Sequence, residues 1–318
     1  MRRSSIGNRI RGTTVALALA CLALTTSAYA RSTNGLGPSV VLASRDSVAP
    51  ASFVRDTLSG ESGKLWMRLV DGTRSAGIAV LRRLFGDSAA SRPGVYTATD
   101  SLTGRPFSFV NLVPFSEKQK GLLGSYRMGR WPAEKRPPRS EVYENPEGFI
   151  PFTPANQDTP VSEHFRLRDF LTHDQESVWP KYLVLSEALV DKLELTMNAL
   201  AERGIAAQRL VVMSGFRTPQ YNAKGVGRKG GRAEDSRHQY GDAADVFVDN
   251  NGDGRMDDLN HDGRVNSRDA KLLAQVVQSV EAEHSDLVGG MGIYSATRAH
   301  GPFVHVDVRG VPARWGIR

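Results

Sequence analysis

The sequence predicts an α+β protein on three observations. Two amphipathic stretches, Ser186 to Arg203 and Ser267 to Glu283, read as helices. Four short apolar or alternating runs, RLVVMS (209–214), ADVFV (244–248), GGMGIYS (289–295) and FVHVDVRG (303–310), read as strands. Helices and strands do not follow one another in a regular strand–helix–strand repeat, which argues against a layered parallel sheet.

The N-terminus reads as a signal peptide, residues 1–30. MRRSSIGNRIRGTT carries four arginines and no acid, VALALACLAL is apolar, and SAYA ends in an Ala-x-Ala pattern that places cleavage after Ala30. The apolar run is shorter than the roughly 20 residues that a spanning helix needs, and no later segment qualifies. The expectation is export to the periplasm, the extracellular space or the cell wall. The single cysteine, Cys21, lies in this run. A lipoprotein anchor there is disfavoured, because Ala18 stands where a leucine is wanted.

Loss of those residues changes the balance of charge. Four arginines leave, so 41 basic residues become 37 against 34 acidic ones, and the net charge falls from +7 to +3. The remaining chain has no cysteine, so disulfides cannot hold its loops. Bound metal is another device that can.

Residues 31–60 are rich in Ser, Ala and Gly and read as a tether. KLWMRLVDGTRSAGIAVLRRLF (64–85) suggests one or two short amphipathic helices, and GVYTATDSLTGRPFSFVNLVPF (94–115) alternates around a Thr-Gly turn, as a hairpin does. GSYRMGRWP (124–132) adds a strand, so residues 61–150 form an accessory region, read as a small β-containing domain. Within it, residues 117–139 carry Lys118, Lys120, Arg127, Arg130, Lys135, Arg136 and Arg139 against Glu117 and Glu134. That segment is either a solvated basic face or a contact for an anionic cell-wall polymer or lipid headgroups. Nucleic acid is disfavoured, since no recognition motif accompanies it.

The second half is better patterned. Leu189, Val190, Leu193, Met197, Leu200 and Ala201 make one apolar stripe between a capping Ser186 and a stop at Gly204. Thr218-Pro219 starts a short helix, because Pro suits the first turn. GVGRKG (225–230) fits Gly-x-Gly-x-x-Gly, but it neither follows a strand directly nor opens a helical pattern, so the nucleotide reading fails. AKGVGRKGGRAED (223–235) reads instead as a flexible loop that rims a site.

Metal chemistry concentrates after Ser236. A catalytic zinc commonly takes three protein ligands and keeps one position open. His238 and Asp245 are seven apart, and Gly241 permits a turn that returns the chain to bring Asp245 beside His238. Alternation puts Phe303, His305 and Asp307 on one face of a strand, so His305 is available as a third ligand.

The pattern Ser236-x-His238-x-x-Gly241-x-Ala243-x-Asp245 resembles the signature of the D-alanyl-D-alanine carboxypeptidase family of zinc peptidases, which includes VanY-like carboxypeptidases and murein endopeptidases and shares its fold with the Hedgehog signalling domain. Further pieces agree in order: Ser214-Gly215-Phe216-Arg217, Gly292-Ile293-Tyr294, Phe303-Val304-His305-Val306-Asp307 and Arg314-Trp315, with SEHFRLRDFL (162–171) similar to the lead-in of the endopeptidase branch. The resemblance covers roughly residues 160–316. It implies a small antiparallel sheet with flanking helices in a zinc peptidase domain, residues 160–318. It also implies zinc ligands His238, Asp245 and His305, and Arg217 and Ser236 at the substrate. The alternatives for these two are a structural ion pair for Arg217 and a satisfied turn for Ser236. Relatives place a proton-transfer group two or three residues before the last ligand, where this chain has Phe303 and Pro302. Asp307 is then the first candidate for that group, or else a residue that orients a ligand, and His300 is a further candidate.

Calcium takes six to eight oxygens, which a tight loop supplies at alternate positions with Gly at the sixth. Asp258, Asn260, Asp262, Gly263, the Arg264 carbonyl, Asn266 and Asp269 fall at the expected positions ahead of a helix. An earlier, weaker copy has Asp249, Asn251, Asp253, Gly254, the Arg255 carbonyl and Asp257, but ends at Asn260 without the twelfth-position acid. Residues 249–269 thus read as a calcium-loop insertion between the second and third zinc ligands. The function expected is that of an exported, calcium-stabilised zinc peptidase acting on peptidoglycan stem peptides or cross-links. A non-catalytic peptidoglycan-binding module and a calcium-dependent adaptor are the rivals.

Overall fold

A computed structural model describes residues 48–49, 61–70, 75–100, 104–229 and 231–316. The signal peptide with Cys21, and most of the tether, lie outside the described residues. Those that are described belong to one compact unit, Pro38–Arg318. No helix among them is long and apolar enough to cross a membrane.

The architecture is mixed α+β. The first sheet has β1 (Val48–Ala49), β2 (Met67–Val70), β3 (Gly94–Asp100) and β4 (Pro106–Asn111) in the order β1-β3-β4-β2. Its centre is the expected hairpin, β3 antiparallel to β4 with Gly94 opposite Asn111. Two expectations change here. Val48–Ala49, inside the predicted tether, pairs parallel with β3. KLWMRLV is not helical: β2 pairs parallel with β4, and the helix α1 begins only at Ser75 and runs to Phe85. The period decides it, because Leu65 and Met67 alternate into the core as a strand requires.

Helices α1 and α2 (Asp87–Ser91) cover one face of this sheet over Val70, Leu81, Tyr96, Phe107 and Phe109. The other face does not close a core of its own. Leu65, Met67, Val95 and Val110 join the main apolar core, which continues through Phe149, Leu189 and Val246. The accessory region and the second half therefore share packing.

Smaller pieces connect the two. β5 (Val113–Pro114), β8 (Gly148–Phe152) and β9 (Lys181–Leu183) form a three-stranded antiparallel sheet, and β6 (Leu122–Leu123) pairs with β7 (Tyr126–Arg127). The basic segment is largely spoken for. Lys118 is buried and bonded to Glu134, while Arg136 and Arg139 both reach Asp235. Lys120, Arg127, Arg130 and Lys135 stay exposed.

The second half follows its predicted elements closely. α3 (Glu187–Glu202) and α5 (Ser267–Glu283) pack together, and α5 lies on β12 (Gly290–Tyr294) and β13 (Phe303–Asp307). The five-stranded sheet runs β10 (Leu210–Ser214), β11 (Ala243–Val248), β13, β12, β14 (Ala313–Gly316). It is antiparallel except for β12 with β14. The short α4 (Pro219–Ala223) starts as expected, with the Thr218 side chain accepting from the Tyr221 amide at 3.1 Å.

The α3 stripe is wider than its apolar residues suggest. Ala201 is exposed, whereas Asp191, Lys192, Glu194 and Thr196 are buried. Each charge has a partner. Asp191 accepts the Glu61 and Ser62 amides, Glu194 holds His164, and the Lys192 ammonium bonds Glu281 and the Leu287 and Asp307 carbonyls.

Candidate metal centre

Asp245 and His305 meet because β11 and β13 place them directly opposite each other. His238 arrives from the turn Arg237–Tyr240, which hands over to β11 through Gly241 at φ 69°. Any side chain there would collide with the Val184 carbonyl oxygen, 2.2 Å from an added Cβ, so glycine is required both by conformation and by space. The Arg217 amide donates to the His238 carbonyl at 2.9 Å and ties the turn to the end of β10.

Three donors converge. His238 Nε2 lies 3.1 Å from His305 Nδ1 and 3.3 Å from Asp245 Oδ1, and His305 Nδ1 lies 2.9 Å from that oxygen. Their relative exposures are only 2, 6 and 7% for His238, Asp245 and His305. No other group of three or more His, Cys, Asp or Glu side chains with ligand atoms this close occurs among the described residues.

The outer partners prepare these atoms for a metal. His238 Nδ1 donates to the Gly215 carbonyl at 2.7 Å, leaving the Nε2 lone pair aimed at the group. His305 Nε2 donates to Asp307 Oδ2 at 3.3 Å, leaving Nδ1 aimed the same way. The free oxygen of Asp245, Oδ2, accepts from Arg217 Nη2 at 2.5 Å, while Arg217 Nε donates to Ser214 Oγ at 2.8 Å. Each ligand is therefore oriented by a second residue, as metal ligands commonly are.

The electrostatics are divided: burial pushes His305 down, but Asp245 and Asp307 beside it outweigh this and hold it above its usual value. Burial pushes His238 down, favouring the neutral imidazole that binds metal. Burial also pushes Asp245 up, but the adjoining imidazoles outweigh it and hold the carboxyl well below its usual range. A buried carboxylate flanked by two oriented imidazoles suits a divalent cation, and the N₂O donor set suits zinc.

Asp307 and Arg217 each carried two readings, and their surroundings bear on both. Asp307 is fully buried behind His305, clasped by Arg309 and the Gly290 amide. It bonds His305 Nε2 from behind and does not line the cleft. Arg217 lines the cleft, with Nη2 bonded to Asp245 and Nε to Ser214. Ser236 does line the cleft, and its side chain makes no capping bond.

The group forms part of the wall of a cleft of about 850 Å³. An aromatic wall stands beside it: Tyr294 stacks on Phe303 at 4.5 Å, and Trp315 lies 5.0 Å from His305 and donates to the Tyr294 hydroxyl. His300 also lines the cleft, with Nδ1 bonded to the Gly301 carbonyl at 2.8 Å. Sequence reasoning missed Arg309 and the Arg136/Arg139–Asp235 rim. The Asp307-x-Arg309 spacing at a strand end was the available signal for the first; nothing local marked the second.

The two acidic loops fold alike, nine residues apart. Asp249 accepts the amides of Gly252, Asp253 and Gly254, and Asp258 those of Asp262 and Gly263. Asn251 and Asn260 accept the amide two residues on, and so do Asp253 and Asp262. The loops differ in how they close. In the second, Asp269 accepts the Leu259 and Asn266 amides at 3.0 and 2.7 Å. In the first, Asp257 accepts the Asn250 amide at 2.8 Å. Asn266 caps α5 through the Arg268 amide and donates to the Arg264 carbonyl, which sets two of the predicted calcium ligands against each other.

An α+β chain with a buried two-histidine, one-aspartate group in the wall of an open cleft defines a candidate mononuclear metal protein. No family model, curated protein or solved structure matches the chain.

Proposed function

We propose that this chain is an exported zinc metallopeptidase that hydrolyses peptide bonds in peptidoglycan stem peptides or cross-links. We further propose that it folds as the D-alanyl-D-alanine carboxypeptidase family does. The observation that carries this is the convergence of His238 Nε2, Asp245 Oδ1 and His305 Nδ1, each oriented from behind, in the wall of an open cleft. A purely structural zinc commonly has four protein ligands, and this group offers three.

A zinc ion held there supplies a Lewis acid and lowers the pKa of a bound water toward ~7. The chain's own residues do the rest. Arg217 and Asp307 keep the ligands in register. Tyr294, Phe303 and Trp315 give one wall a dry surface for a peptide. His300, with its Nδ1 proton committed to Gly301, presents Nε2 as the acceptor for a proton on the cleft side. The acidic loops hold calcium in this reading, stabilising the segment that begins four residues after Asp245. That segment abuts the loop carrying His300, since the Met256 amide lies 3.8 Å from a Cβ placed on Gly301.

Digestion of defined muropeptides by the zinc-loaded protein, read by mass, tests the activity. Release of a product from one stem-peptide bond is expected. No cleavage of any bond would leave the non-catalytic binding module as the better reading. For calcium, the melting temperature is expected to fall by several degrees when a calcium-selective chelator is added, because an ion bound only by the folded state stabilises it. An unchanged melting temperature would count against calcium in these loops.

A further inference from the structure

The arginines of the cleft differ in one respect. Arg139 pairs with Asp235, Arg217 with Asp245, Arg237 with Asp242 and Arg309 with Asp307. Arg232 also lines the cleft, yet it has no carboxylate partner among the described residues.

Its guanidinium is nonetheless held in place. The backbone is pinned twice to the preceding turn, the Arg232 amide to the Gly225 carbonyl at 3.0 Å and the Gly227 amide to the Arg232 carbonyl at 3.1 Å. The side chain lies over Gly225, so closely that an added Cβ there would come within 2.5 Å of its Cδ. Its plane sits 4.6 Å from the Tyr221 ring, and Nη1 donates to the Tyr221 carbonyl at 2.8 Å. Four of the five N–H groups of the fork remain for something else.

A fixed, half-buried guanidinium without an acid, on the same cleft as a metal group, is suited to bind a ligand's carboxylate in bidentate fashion. We infer that Arg232 seats a carboxylate of the bound peptide, so that the cleft selects acid-bearing peptides over their amides. This rests on the reading of the cleft as a peptide site. The carboxylate comes either from a peptide C-terminus or from a residue within the chain, and the two sources are separable.

The test is calorimetric titration of zinc-loaded protein with non-cleavable reduced-amide analogues in two acid/amide pairs. One pair ends in D-Ala-D-Ala as acid or carboxamide; the other carries γ-linked D-Glu with its α-carboxylate free or amidated. At least one acid is expected to bind roughly tenfold or more tightly than its amide, as a charge-assisted bond to a carboxylate warrants. The pair showing the preference identifies the source. Arg232→Gln is expected to bring acid and amide within about twofold of each other. Gly225→Ala, which keeps the charge but dislodges the side chain, is expected to do the same. Equal binding of acid and amide by the wild type, or a preference that survives both substitutions, would overturn the assignment. An intact acid preference in a protein that cleaves no parent peptide would support Arg232 while counting against the peptidase reading alone.

Discussion

His238→Ala is expected to abolish zinc binding at neutral pH and with it all peptide hydrolysis. The substitution removes one of three protein ligands and also the hydrogen bond to Gly215 that ties the turn before β11 to the end of β10. Asp245 Oδ1 and His305 Nδ1, 2.9 Å apart, would then be the only two donors left to the metal. A graded companion is Asp307→Asn. It keeps all three ligands but weakens the anchor on His305 Nε2, and a loss of about 10- to 100-fold in zinc affinity is expected for an orienting partner. Metal titration of both variants checks the order. If Asp307→Asn lost hydrolysis while holding zinc as tightly as the wild type, Asp307 would be acting on the substrate and its place behind His305 would need another explanation.

The second large effect is expected at Lys192. Its ammonium is wholly buried and satisfies Glu281 together with the carbonyls of Leu287 and Asp307. Lys192→Met removes the cation and leaves a buried carboxylate and two carbonyls short of a donor. Breaking one partner of a buried pair costs about 3–5 kcal/mol. Arg314 also reaches Glu281, which places the loss toward the lower end of that range. The effect should appear as a lower midpoint in chemical denaturation with an unchanged slope. A double variant, Lys192→Met with Glu281→Leu, should recover part of the loss, because no unpaired buried charge remains. A single variant as stable as the wild type would show that the network contributes little to the fold. The same ammonium grips the carbonyl of Asp307, so the network also supports the end of the strand that carries His305.

The residues that carry chemistry were the most legible part of the sequence. Spacing alone left His238 and Asp245 as a pair in a polar loop, and it was the resemblance around them that joined His305 to the set; the structure brings the three together through the Gly241 turn and the pairing of Asp245 with His305. The helix Ser267–Glu283 was legible as an amphipathic stretch, and the structure adds that Asn266 and Asp269, read as calcium ligands, form its capping box. What the sequence did not reveal was depth and pairing. Alternation places Asp307 on the face of His305, but not on which side of the imidazole ring. The pattern of charges shows Arg217 but not that its partner is Asp245 of the candidate metal group, 28 residues away. Arg232 sat in a glycine-rich stretch that read as flexible, and what holds it is non-local in the pattern: the Tyr221 ring and carbonyl, brought in by α4, and backbone bonds to Gly225 and Gly227. For Lys64–Val70, alternation of Leu65 and Met67 competed with a helical reading, and pairing with β4 decided the outcome.

The proposed zinc and calcium sites would lie along one short stretch of chain. β11 delivers Asp245 to the imidazoles and ends at Val248, and the first acidic loop begins at Asp249. If ordered calcium helps to fix Asp245, hydrolysis should rise with free calcium over the range that raises the melting temperature. Activity that ignores calcium would separate the two sites.

The central claim is that His238, Asp245 and His305 form a zinc site. Metal content of the purified protein tests it most directly, measured after removal of loosely held ions and compared with His238→Ala. About one zinc per chain is expected in the wild type and close to none in the variant. A wild-type content near zero after exposure to zinc, or a content unchanged by the substitution, would contradict it.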